Sequence, residues 1–139
     1  MFKKILVAND GSEGAARALS AAIMLAKKHD AELHMISVEE LPRFPASVDE
    51  VVEEKQDANH RFEAVVSRAQ GQAQAQGVKL VVHVVPGHAV SAVVEFVEAG
   101  SFDLLVVGYM GHSALYNRII GSTTDRLVEL AACHVLVIK

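Results

Sequence analysis

Two short segments of this 139-residue chain carry the residue types that hold a phosphorylated small molecule. The first is Asn9-Asp10-Gly11-Ser12. The second opens with Gly108-Tyr109-Met110-Gly111, runs on for nine residues and closes on Gly121-Ser122-Thr123. Gly108 lets a backbone leave a strand with little steric limit, and Gly111 lets main-chain N–H groups approach an anion. A helix starting at Gly121 or Ser122 turns its unpaired N–H groups, and the positive end of its dipole, toward a phosphate. The hydroxyls of Ser122 and Thr123 add donors. Any one of these glycines fits a plain turn; the set, at this spacing and after a strand, fits a ligand site. Ser122-Thr123-Thr124-Asp125 also reads as a variant capping box. Neither common nucleotide fingerprint is present: there is no Gly-x-x-x-x-Gly-Lys-Ser/Thr, and no Gly-x-Gly-x-x-Gly after the first strand. Fast phosphoryl transfer needs positioned charge and an oriented nucleophile. The second segment has no lysine, and Asp10 is the one carboxylate plainly placed, so no residue is assigned a catalytic role.

The remaining chemistry-bearing side chains are seven histidines and Cys133. The histidines show no i, i+4 pairing of the metal-site kind, and one cysteine builds neither a disulfide nor a cysteine-based zinc site. His34 and His83 fall on neighbouring strands. Surface or core histidines, and a small packed cysteine, are the expected readings. A single cysteine fits a reduced, cytoplasmic setting.

The elements that must position the two segments follow from hydrophobic spacing. Ile5 to Ala8 is a short apolar run closed by a turn, which suits a buried strand. Ser12 caps a helix whose inner face is Ala16, Leu19, Ile23 and Ala26. Glu32 to Val38 is a second strand. Leu41 to Ser47, with two prolines, is a loop. A long helix follows from about Asp49 to Gln76, with Phe62, Val65, Val66, Ala69 and Ala73 inward, and Gly77 at its end. Its charged stretch from Asp49 to Arg61 reads as a solvated face. Val78 to Val85 is a third strand, stopped by Pro86-Gly87. Val90, Val93, Val94 and Val97 mark a helix ended by Gly100. Asp103 to Val107 is the fourth strand, and Tyr109 to Ile120 a loop. A last helix bears Leu127, Leu130 and Ala131, and Val135 to Ile138 is the last strand. Alternation of this kind demands a mostly parallel sheet with helices on both faces, in one domain spanning residues 1–139. Ligands of such sheets bind beyond the carboxyl ends of the strands, where strand order reverses.

Bulk composition narrows the partners. Thirteen Lys and Arg against seventeen Asp and Glu give a net charge of -4, which argues against nucleic acid. It does not argue against a small phosphorylated ligand held by backbone N–H groups. The opening apolar run breaks at Asn9-Asp10-Gly11, too soon for a signal sequence, and no stretch is apolar enough to span a membrane.

The second segment resembles the ATP-binding signature of the universal stress protein family: Gly108-x-x-Gly111, nine residues, then Gly121-Ser122. The likeness extends over the whole chain, from Ile5-Leu6-Val7-Ala8 and Asp10-Gly11-Ser12 to Cys133-His134-Val135-Leu136-Val137-Ile138. The resemblance implies an open five-stranded parallel sheet, order 3-2-1-4-5, in a Rossmann-like three-layer fold. It implies that Asp10 and Gly108 lie by a ribose and that Val38 meets adenine through its backbone, with Ala8 nearby. It implies that Gly111, Gly121, Ser122 and Thr123 hold phosphates, those of ATP, or of AMP or ADP, with Mg²⁺ accompanying a triphosphate. Three positions depart from the pattern: His112 stands where Arg or Lys is common, Ala114 where glycine is frequent, and His134 where proline is. His112 is still counted with the ligand-binding residues by its place in the signature, although neutral imidazole attracts a triphosphate little near pH 7.

Three functions fit this reading: a regulatory module that binds ATP in the stress response, a slow ATP hydrolase, and a family member working through protein contacts alone. In the implied strand order the last strand lies at a sheet edge. Its apolar residues 134–138 suit antiparallel pairing with a second copy, hence a homodimer.

Overall fold

Ile5, Leu6 and Val7 have no solvent exposure, so the first strand must have neighbours on both edges and cover on both faces. In the computed structural model it has both. The structure describes residues 1–40, 48–110 and 120–139, with the side chains of 48–59 and 61 left aside. In order along the chain the elements are β1 (Lys4–Ala8), α1 (Glu13–His29), β2 (Glu32–Glu40), α2 (Val48–Ala75), β3 (Leu80–Gly87), α3 (Ala89–Gly100), β4 (Leu104–Gly108), α4 (Ser122–Leu130) and β5 (His134–Ile138). The strands form one parallel sheet in the order β3-β2-β1-β4-β5, as the resemblance implied.

Because successive side chains on a strand face opposite ways, the sheet divides its apolar residues between two cores. Ile5, Val7, Leu33, Met35, Leu104 and Val106 pack with α1 and with Ala69 and Ala73 of α2. Leu6, Ile36, Leu105 and Val107 pack with Val93 and Val97 of α3, Phe102 and Leu127 of α4. Burial on both faces is why the strands read as apolar runs without alternation. None of the described helices is long and apolar enough to cross a membrane.

The structure corrects several details. On α1 the buried face is Ala15, Ala18, Leu19, Ala22, Ile23 and Ala26, while Ala16 is exposed. On α4 Leu127 is buried but Leu130 is 44% exposed. β3 does not stop before Pro86. It runs on to Gly87, with Glu39 opposite Pro86 and Glu40 opposite Gly87. An edge strand tolerates proline because its outward amide needs no partner in the sheet. α3 keeps Gly100 inside the helix, and Ser101 makes the turn with φ 54°. Gly100 is small for another reason: a Cβ there would strike the ring of Phe102. The proline-bearing loop expected at 41–47 lies outside the described residues.

Candidate functional site

Strand order reverses between β1 and β4, and both segments singled out in the sequence emerge there. After β1, the turn is fixed by three side chains in succession. Gly11 N–H donates to Asn9 Oδ1 (3.0 Å), Ser12 N–H to Asp10 Oδ1 (3.0 Å), and Ala15 N–H to Ser12 Oγ (3.2 Å). The last bond is the N-cap expected of Ser12. Gly11 adopts φ 86°, a region costly for other residues. Asn9 is buried and ties the turn to β2: its N–H donates to Ile36 O (2.9 Å), and its carbonyl accepts from Ser37 Oγ (2.6 Å).

After β4, Tyr109 N–H donates to Ile138 O of β5 (2.8 Å), and Tyr109 O accepts from Gly121 N–H (3.0 Å). Thr124 Oγ1 donates to Gly108 O (2.7 Å). The start of α4 is thereby held against the end of β4. Gly121 is the N-cap residue, with no side-chain cap bond, and Ser122 is the first residue of the helix. The capping box expected from Ser122-Thr123-Thr124-Asp125 is therefore not formed. Thr124, one member of it, spends its hydroxyl on the strand instead.

Gly108 differs from expectation in its reason. It is not among the residues with positive φ. A Cβ on it would come within 2.7 Å of the backbone of Gly14 on α1, and a Cβ on Gly14 would strike the carbonyl of Met110. The two glycines let α1 and the end of β4 touch backbone to backbone, which narrows the space between the two turns.

These elements enclose a cleft of about 450 Å³. Ala8, Asp10, Val38, Gly108, Gly121, Ser122 and Thr123, seven of the nine residues proposed from the sequence, all line it. Gly111 and His112 lie outside the described residues. Sequence reasoning missed the apolar wall supplied by Ile36, Phe62, Val93 and Leu127; Glu40, a second carboxylate, and Met110 also line the cleft, from the segments expected to follow the second and fourth strands. Of these, Phe62 and Val93 were legible only as inward helix positions, because spacing shows which face is buried but not what it faces. α1, α3 and α4 all begin at the cleft, through Ser12, Ala89 and Ser122. The volume lies in the range of small-molecule sites, and a cleft that combines apolar wall with helix N-termini suits a ligand with a flat apolar part and an anionic part.

Cys133 is half-buried against the α3–α4 core, and burial raises its thiol above the usual range, against a role as nucleophile. Among the described residues no three His, Cys, Asp or Glu side chains converge as a metal site.

An open α/β sheet with a cleft at its switch point defines a broad class of small-molecule binders. The universal stress protein family model matches residues 1–139, and the chain belongs to that family. Universal stress protein MJ0531 of Methanocaldococcus jannaschii is 32% identical over 148 aligned positions, covering 100% of this chain and 83% of that protein. Among solved structures, the universal stress protein UspA of Lactobacillus plantarum superposes with a TM-score of 0.87 at 28% identity, covering 99% of this chain and 98% of that one. A universal stress protein solved in complex with cAMP superposes with a TM-score of 0.77 at 26% identity, covering 99% and 97%.

Proposed function

We propose that this chain binds an adenine nucleotide in the cleft between β1 and β4, ATP foremost, and acts as a dimeric regulatory module in the stress response. The observation that carries the reading is the convergence of Gly108, Gly121, Ser122 and Thr123 with Asp10 and Val38 on one cleft with an apolar wall. The complex of a similar protein with cAMP supports an adenine nucleotide as the ligand class. In this reading Ile36, Val38, Phe62 and Val93 give the base its apolar surroundings. Asp10 accepts from ribose hydroxyls. The N–H groups and hydroxyls of Ser122 and Thr123 receive the phosphates, while Gly121, its N–H held by Tyr109 O, leaves room for them, and Mg²⁺ neutralises the charge of a triphosphate.

Hydrolysis is slow at best. The charged side chains lining the cleft among the described residues are the carboxylates Asp10 and Glu40, and neither stabilises charge building on a transferring phosphoryl group. The same acidity, with His112 in place of a fixed cation, favours the second reading, in which the protein works through contacts with other proteins. The test is mass analysis of nucleotide released from protein purified without added ligand, followed by calorimetric titration with ATP, AMP and adenosine. Co-purifying or titratable adenine nucleotide is the expected result. A protein that neither retains nor binds any of the three belongs to the second reading.

A further inference from the structure

Below the cleft, on the face covered by α3, lies a cluster of titratable side chains that nucleotide binding does not use. Nδ1 of His34 on β2 sits 2.9 Å from Nε2 of His83 on β3, and the two ring planes are parallel to within 2°. Phe96 of α3 packs on His83 at 4.6 Å between ring centroids, and Phe102 meets His34 edge-on at 5.1 Å. The far nitrogen of His34, Nε2, is buried and has no hydrogen-bond partner among the described residues. Lys4 Nζ donates to Gly100 O (2.6 Å) and lies 4.7 Å from the centre of the Phe102 ring.

A hydrogen bond between two imidazoles needs one N–H and one bare nitrogen, and a neutral pair supplies both. With both rings protonated, His34 Nε2 carries an N–H in a buried site that offers it no acceptor among the described residues, whichever ring donates in the neutral pair. A proton on each ring puts N–H groups face to face with no lone pair between them, and two cations within one bond length of contact. We propose that His34 and His83 form an acid-operated clasp between the edge strand β3 and the rest of the sheet, closed while the pair is neutral and released when both rings are protonated. β3 has β2 as its one neighbour in the sheet, so release of the clasp loosens that edge together with α3, which rests on it through Phe96. The proposal stands whether or not the cleft takes a nucleotide.

The surrounding charges act in the same sense, with one exception. Burial depresses the proton affinity of both rings most, His83 adds to this at His34, and the Lys4 ammonium lowers both; Glu32 opposes the effect at His34. Asp103, before β4, accepts from the backbone N–H groups of Lys3 and Lys4. α3 presents uncharged Phe96 to the pair, and its Glu95 and Glu98 are exposed. β3 carries no other charged side chain.

The sign follows by linkage. Folded-state values below the unfolded ones mean that the unfolded chain takes up protons first as pH falls. The clasp's contribution is complete above about pH 6.5 and is lost progressively below it. Each proton withheld by the fold raises the unfolding constant up to about tenfold per pH unit, hence up to about a hundredfold for the pair.

The experiment is an NMR titration of the imidazole rings of the full chain from pH 8 to pH 5, with urea unfolding at both ends of that range. It is repeated on His83→Gln and on His34→Gln/His83→Gln. The expected result is that both rings titrate below about 6.5, that His34 titrates higher once His83 is replaced, and that the double variant has a flatter dependence of stability on pH. If His34 titrates identically with and without His83, or either ring of the parent takes its proton at the ordinary value, there is no clasp. Should the variants not fold, the parent titration alone decides on the second criterion.

Discussion

Gly14 and Gly108 show how much of the site rests on atoms that are missing. In an ordinary helix, replacing glycine with alanine stabilises by about 1 kcal/mol. At Gly14 the sign reverses, because the new methyl group meets the carbonyl of Met110, a backbone atom with no flexible side chain to move aside. Gly14→Ala is expected to destabilise by about 1–3 kcal/mol, the cost of overpacking, read as a lower urea midpoint. A midpoint at or above the parent's would mean the two backbones separate at no cost. Gly121 is the contrasting case. Its φ of -62° is open to any residue, so Gly121→Val is expected to fold, while its side chain occupies cleft space. Nucleotide binding is expected to be lost in Gly121→Val and only weakened in Ser122→Ala, by about 1–3 kcal/mol if the lost bond went to a charged oxygen. A folded Gly121→Val that binds ATP as the parent does puts the phosphates elsewhere. At this scale the sequence betrayed the glycines after β4 by their spacing. It hid Gly14, which sits among alanines in a helical pattern and is intelligible only beside Met110.

Among the elements, kinds and order were readable and ends were not. Apolar runs too short for helices, divided by spacings of three and four, gave the alternation of strand and helix. The ends depended on partners remote in sequence. Pro86 stays in β3 because that strand lies at an edge, and α3 passes Gly100 because the chain turns at Ser101. The two serine starts make a matched test. Ser12 Oγ accepts from Ala15 N–H at the N-cap of α1, whereas Ser122 is already inside α4. Ser12→Ala is expected to cost about 1 kcal/mol of stability, and Ser122→Ala to stay within about 0.5 kcal/mol of the parent. Thermal unfolding of the two variants side by side checks this. Equal losses would mean that Ser122 also caps its helix.

For the molecule as a whole, β5 leaves one edge of the sheet open, and Leu136 on it is 36% exposed. Antiparallel pairing of two β5 strands about a two-fold axis would satisfy the open backbone groups and cover that leucine. A homodimer at micromolar concentration is expected in sedimentation or light scattering, and Leu136→Lys is expected to shift it toward monomer. A parent that sediments as a monomer overturns the assembly. A second test at this scale concerns charge: a chelator is expected to weaken ATP binding and to leave adenosine binding nearly unchanged, with equal sensitivity showing that phosphates do not drive recognition. In the proposed reading the cleft's pull on phosphate has a different source, for α1, α3 and α4 all begin at it. The partial positive charge at a helix start belongs to peptide groups, which are there whatever the residue, proline apart. Mutation exchanges side chains and leaves those groups in place. A lineage built on this sheet can therefore lose one cleft side chain after another and still draw negative charge to the same spot; what drift erodes first is discrimination between one anion and the next.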